Sequence, residues 1–132
     1  MPRALLWLAP VAYMALIIGL SSIPGSVAEG PDAPLHWLPE LVSNLLHLPL
    51  YAGLAFVWCV TLHRLTRLTP RHVAAIAFGA SVVFGIADEL YQGLIPGRTP
   101  SVSDVVMNTL GAGIAIVLFP WLRGWLPRAV RR

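Results

Sequence analysis

Apolar residues in this chain gather into four long runs, at about Ala4 to Leu20, Leu41 to Leu62, Val73 to Leu94 and Val105 to Leu122. Each is close to the roughly 17–25 residues an α-helix needs to cross the hydrocarbon core of a bilayer. Lipid cannot satisfy a loose backbone N–H or C=O, so a spanning segment must close its hydrogen bonds internally. The pattern therefore predicts an all-α protein, a four-helix transmembrane bundle. No stretch shows the roughly ten-residue alternation of a membrane barrel strand.

Composition narrows the class further. Of the 132 residues, 57% are hydrophobic and 11% charged, too little charge for the surface of an ordinary water-soluble domain. No repeat, low-complexity tract or shift in composition divides the chain, so residues 1–132 read as one integral membrane domain. The one long irregular stretch is the first connector, which carries Pro24, Pro31, Pro34 and Pro39. The first run also admits a second reading as a secretory signal, with Met1 to Arg3 as its basic start and Ser26-Val27-Ala28 as a cleavage site. Its length and the Pro24-Gly25 stop favour a retained helix. Cys59, the single cysteine, has no partner for an internal disulfide and reads as packing.

Charge placement gives an expected orientation. All nine basic residues are arginines. Arg3 precedes the first run, Arg64, Arg67 and Arg71 fill the middle connector, and Arg123, Arg128, Arg131 and Arg132 follow the last. The first connector instead carries Glu29, Asp32 and Glu40. The positive-inside rule then puts both termini and the middle connector in the cytoplasm, N-in/C-in. Arg98, alone on the outer side, reads as a site residue. Trp37 is expected at the outer interface and Trp7, Trp58, Trp121 and Trp125 toward the inner one, as anchors. Because the arginines hug the membrane ends and suit an anionic inner leaflet, the basic balance implies no nucleic-acid partner.

Chemistry enters with Asp88 and Glu89, side by side inside the third run. An acidic side chain at the centre of a spanning helix costs about 2.5–3.5 kcal/mol, so such a pair marks a candidate site. On the second helix Asn44, His47 and Tyr51 form one stripe at i, i+3 and i+7. On the third, Asp88 and Glu89 each share a face with Gln92, with Tyr91 beside them. On the fourth, Asp104, Asn108 and Gly111 repeat the spacing. Arg98, Ser101 and Ser103 lie in the turn between the last two helices. Three helices thus bring their strongest polar groups to the same side of the membrane. Simpler readings stand beside this one: Ser101 or Ser103 with Asp104 as a helix cap, Asn108 as an interhelical hydrogen bond, and His47 as an interior histidine near a Pro49 kink. Ala75 with Gly79, and Gly111 with Ala115, are small pairs four apart that allow close helix packing.

The stretches Asn44-Leu45-Leu46-His47 with Tyr51, Asp88-Glu89-Leu90-Tyr91-Gln92, Pro96-Gly97-Arg98, and Ser101, Ser103-Asp104 and Asn108 through Gly111 together resemble the VanZ-like family, over about residues 42–118. Many members carry an acidic residue near the start of the histidine helix; here that position is Asn44, followed by Leu45. The resemblance implies a small multi-pass protein of the bacterial cytoplasmic membrane, related to one associated with reduced susceptibility to teicoplanin. It implies membrane context and candidate residues, but no reaction.

Two functional readings follow. In the first, the outer cluster binds or modifies an amphiphilic envelope component: a membrane lipid headgroup, a lipid-linked cell-wall precursor or a lipoglycopeptide. His47, Asp88, Glu89 and Asp104 are then candidates for acid–base work, and Asn44, Tyr51, Tyr91, Gln92, Arg98, Ser101, Ser103 and Asn108 contact the substrate, with Arg98 meeting an anion. In the second, the same groups form a structural salt-bridge network in a non-catalytic scaffold or binding protein. No cofactor is implied, and no compact metal motif such as H-E-x-x-H is present. Assembly into a homo-oligomer is left open, and a transporter is disfavoured by the lack of matching broken helices.

Overall fold

The computed structural model describes residues 3–24 and 40–125. These form four α-helices, α1 (Arg3–Ser21), α2 (Glu40–Leu65), α3 (Pro70–Gln92) and α4 (Val102–Leu122), followed by a short 3-10 turn at Arg123–Trp125. The all-α bundle expected from the apolar runs is what the chain forms. Three helices carry stretches long and apolar enough to cross a membrane, Leu45–Leu65, Pro70–Gln92 and Val102–Leu122. The apolar part of α1, Leu5–Ser21, is shorter.

Local chemistry sets the helix ends. Thr69 is extended and its hydroxyl accepts from the His72 N–H, while Pro70 follows at the first helical position, where its missing N–H costs nothing. Ser101 does the same for α4, its hydroxyl accepting from the Ser103 N–H at 3.2 Å. Between α3 and α4 the Arg98 N–H donates to the Ile95 carbonyl at 3.1 Å, across Pro96 and a Gly97 with φ of 76°. Proline then glycine at the two central positions is the signature of a type II turn, which requires positive φ at the second.

Helix α2 packs against all three others, most extensively against α4. That interface is lined by small residues: Ala55, Ala112 and Ala115 are buried together, and Gly111 lies directly over the Leu48 carbonyl and the Ala52 N–H. Of the two expected small pairs, Gly111 with Ala115 packs. Ala75 does not: it is exposed, and a methyl added at Gly79 would meet nothing within 4 Å. The α3 face toward α2 is set instead by Val73, Ala77, Ser81 and Gly85.

Around this interior the molecule presents apolar side chains outward, among them Val83 and Leu90 on α3 and Val117 on α4, each 68% exposed. A soluble fold rarely leaves so much of its apolar surface bare, whereas a lipid-facing belt must. Trp7 and Trp121 lie on that surface. Trp58 does not act as an anchor: it packs against two core clusters with its Nε1 buried and unpartnered, because it sits about two turns inside the end of α2. Trp37 and the side chain of Trp125 lie outside the described residues. Cys59 is fully buried, in the core of the bundle.

Candidate functional site

The polar groups meet at one end of the bundle, where the start of α2, the end of α3, the start of α4 and the end of α1 come together. Gly85 makes part of this possible. A methyl there would stand 3.0 Å from the Tyr51 ring and 3.2 Å from Asn108 Cβ, so a residue without a side chain lets α2 and α4 press their polar groups against α3 one turn before Asp88.

Asp88, 1% exposed, lies at the centre. Its Oδ2 accepts from the Tyr51 hydroxyl at 3.0 Å and from Gln92 Nε2 at 3.2 Å. Among the described residues its Oδ1 is buried with no hydrogen-bond partner. Glu89 is also buried; its Oε1 accepts from the Ser101 backbone N–H, and its Oε2 is likewise buried and unpartnered. Asp88, Asp104 and His47 are the titratable neighbours whose fields reach Glu89. His47 Nδ1 lies 3.0 Å from Asn108 Oδ1, and its ring stacks on Tyr51 with centroids 6.5 Å apart. Asn108 Nδ2 is a third buried atom without a partner. Leaving one such donor or acceptor unsatisfied costs about 1–3 kcal/mol, so three within one cluster is a substantial local cost.

Asp104 is buried in the first turn of α4, where a negative side chain is favoured by the helix dipole. Ser103 is exposed and its hydroxyl bonds that of Ser101. Both serines therefore serve the α4 cap, the plainer of the two expectations for them, and the Ser101 N–H additionally serves Glu89.

Arg98 departs from expectation. Its hydrogen bonds do not go to Asp88, Glu89 or Asp104. Nε donates to the Ile23 carbonyl at 2.9 Å, Nη2 to the Leu20 carbonyl at 3.4 Å, and Nη1 to Gln92 Oε1 at 2.8 Å. The cause is local: the chain leaves α1 through a turn in which the Ile23 N–H bonds the Leu20 carbonyl, and the carbonyls at this negative end of the helix dipole draw a planar cation with several donors. Arg98 caps α1 and reaches Asp88 only through Gln92.

The end of α1 joins the site as well, although the sequence pattern does not single it out. Ser21, buried, accepts from Gln92 Nε2 at 3.4 Å, and Ser22 pairs with the Tyr91 hydroxyl at 2.8 Å. Tyr91 thus faces α1 and not the acid pair. Two adjacent hydroxyls at the end of an apolar run, just before Pro24, were the available signal. Of the candidates, His47, Tyr51, Asp88, Glu89, Gln92, Asp104 and Asn108 are brought together. Asn44 falls in α2, but its side chain lies outside the described residues. Among the described residues no three His, Cys, Asp or Glu side chains are grouped to hold a metal ion.

Fold and cluster together define a class: a small helical membrane protein with buried acids gathered at one end of the bundle. The model of the VanZ/LLP1 family matches residues 6–123, and the chain belongs to that family. The match runs beyond residues 42–118 to include α1, whose last turn Arg98 and Gln92 engage. Comparison with curated proteins and with solved structures gives no match.

Proposed function

We propose that this chain is a multi-pass protein of the bacterial cytoplasmic membrane, with both termini inside and the polar cluster toward the outer face, and that the cluster binds the headgroup of an amphiphilic envelope component. The observation that carries this reading is the set of unsatisfied atoms. Asp88 Oδ1, Glu89 Oε2 and Asn108 Nδ2 come from two helices, are buried, and have no partner among the described residues. A bundle selected only for stability gains by filling or replacing such groups; a binding site keeps them for a ligand's atoms. Lipid headgroups, lipid-linked cell-wall precursors and lipoglycopeptides all bring polar atoms to this depth. Binding is favoured over modification because the cluster holds no activated nucleophile among the described residues: the Ser101 and Ser103 hydroxyls are paired with each other.

A second reading has its own support. The chain of bonds from Tyr51 through Asp88, Gln92 and Arg98 to the carbonyls of Leu20 and Ile23 ties α2, α3, the α3–α4 turn and α1 together, as a structural network would. The two readings separate on one experiment. Membranes carrying the intact chain, the Asp88→Asn, Glu89→Gln double variant or His47→Ala are compared for protein abundance, envelope phenotype and lipid composition by mass spectrometry. Headgroup binding predicts a lost phenotype at near-normal abundance. Loss of abundance first, with phenotype falling only in proportion, supports the structural network.

A further inference from the structure

We propose that the group this cluster takes is a primary ammonium carried on a membrane amphiphile, not a bare phosphate or other anion. The inference rests on the headgroup-binding reading and adds the chemistry of the headgroup.

It begins with sign. Asp88, Glu89 and Asp104 are all buried at this end of the bundle. Among the described residues no arginine or histidine hydrogen-bonds to Asp88 or Glu89, whose donors are Tyr51, Gln92 and the Ser101 N–H. Arg98, the cation an anionic ligand would need, is turned toward the end of α1 and Gln92, with Nε, Nη1 and Nη2 donating to Ile23, Gln92 and Leu20. A phosphate entering beside Asp88 and Glu89 would meet buried carboxylates, while the Arg98 guanidinium is held at the end of α1 by two backbone carbonyls.

The unpartnered atoms point the same way, independently of the charge count. Asp88 Oδ1 and Glu89 Oε2 are both carboxylate oxygens and both need donors. An ammonium offers three N–H donors on a compact charge and accepts nothing. Placed against either oxygen, it satisfies it while neutralising a buried carboxylate, which is otherwise expensive at membrane depth. The unpartnered Asn108 amide nitrogen, on α4, is left for an oxygen of the same headgroup. A quaternary ammonium carries the charge without the N–H groups and leaves both oxygens unsatisfied. An ethanolamine phospholipid and an amino-sugar amphiphile share the required chemistry.

The test uses the purified full chain in detergent micelles, with binding read by native mass spectrometry and by the shift in thermal midpoint. The probes are phosphatidylethanolamine, its N,N-dimethyl and N,N,N-trimethyl forms with the same acyl chains, phosphatidylglycerol, and an alkyl glucosaminide beside its N-acetylated form. Phosphatidylethanolamine is expected to bind at least about tenfold more tightly than the trimethyl lipid or phosphatidylglycerol, the factor given by one charge-assisted hydrogen bond. Preference for the free-amine sugar over phosphatidylethanolamine would assign the source to a glycosylated amphiphile and supports the proposal equally. Glu89→Gln, which keeps an oxygen for the Ser101 N–H, should erase the preference. If that variant fails to fold, the methylation series on the unaltered chain still separates an ammonium site from an anion site. Phosphatidylglycerol binding as tightly as phosphatidylethanolamine, and weakened by Glu89→Gln, would overturn the ammonium assignment while leaving headgroup binding intact. An ammonium preference indifferent to both Glu89→Gln and Asp88→Asn would overturn this site, and no binding of any probe would overturn both readings.

Discussion

Replacing Gly111 by alanine tests the α2–α4 interface that holds the site together. A methyl at Gly111 would stand 3.0 Å from the Leu48 carbonyl carbon and 3.1 Å from the Ala52 nitrogen, and would overlap the Leu48 carbonyl oxygen. Comfortable contacts lie at about 3.5–4.0 Å, and the obstacles are backbone atoms that no rotamer change can move. The helices must part by roughly 1 Å, and overpacking of this kind costs about 1–3 kcal/mol. Against it stands the helix preference of alanine over glycine, about 1 kcal/mol. The steric term offsets or exceeds that gain, with a net loss of up to about 2 kcal/mol. Gly79→Ala is the matched control: it makes the same chemical change on a helix, but nothing lies within 4 Å of the added methyl, so only the gain of up to about 1 kcal/mol remains. Reversible unfolding by SDS titration in mixed micelles, followed by far-UV circular dichroism, measures both. Asn108 lies one turn before Gly111 on the same face, so its 3.0 Å contact with His47 should lengthen too, moving the His47 ring resonances. Gly111→Ala proving as stable as Gly79→Ala would refute the close-approach argument.

Three further outcomes are expected. Tyr51→Phe keeps the buried ring but removes its donation to Asp88; it should cost about 0.6–1.7 kcal/mol, the range for interhelical hydrogen bonds in membranes, and a double-mutant cycle with Asp88→Ala should assign that cost to the pair. Arg98→Lys should fail to replace the guanidinium, because an ammonium cannot span the Leu20 and Ile23 carbonyls and Gln92 together; faster amide hydrogen exchange at the end of α1 in Arg98→Lys would show it, and unchanged exchange would remove Arg98 as the cap. Cysteines at Pro34 and Thr99 should be labelled from outside and one at Thr66 from inside, over a low background from the buried Cys59; the reverse pattern would invert the proposed topology.

The hydrophobic pattern alone determined that there are four helices and placed their ends to within three residues, because a backbone in lipid has few alternatives, while the caps at Thr69 and Ser101 set where α3 and α4 begin. It also singled out Asp88 and Glu89, since a carboxylate in an apolar run is conspicuous at any position, and the 3.6-residue period put His47 with Tyr51 and Asp104 with Asn108 on shared faces. Periodicity fixes which residues share a face but not what that face meets. Which way each helix turns depends on where backbones can approach, and that was decided by tertiary packing: Gly111 with Ala115 turned inward against α2, while Ala75 and Gly79, equally small, turned outward. Tertiary structure also decided the partner of Arg98. Charge counting pointed it at the acids, but a long side chain in a turn chooses among all acceptors within reach, and the carbonyls at and just past the end of α1 are contributed by residues some 75 positions earlier in the chain. The same distance hid Ser21 and Ser22 from any reading by spacing. The sequence pattern placed acids and a cation at one end of a bundle, and only the packed structure shows Arg98 bonded to the end of α1 and Gln92, with Asp88 Oδ1 and Glu89 Oε2 unpartnered among the described residues.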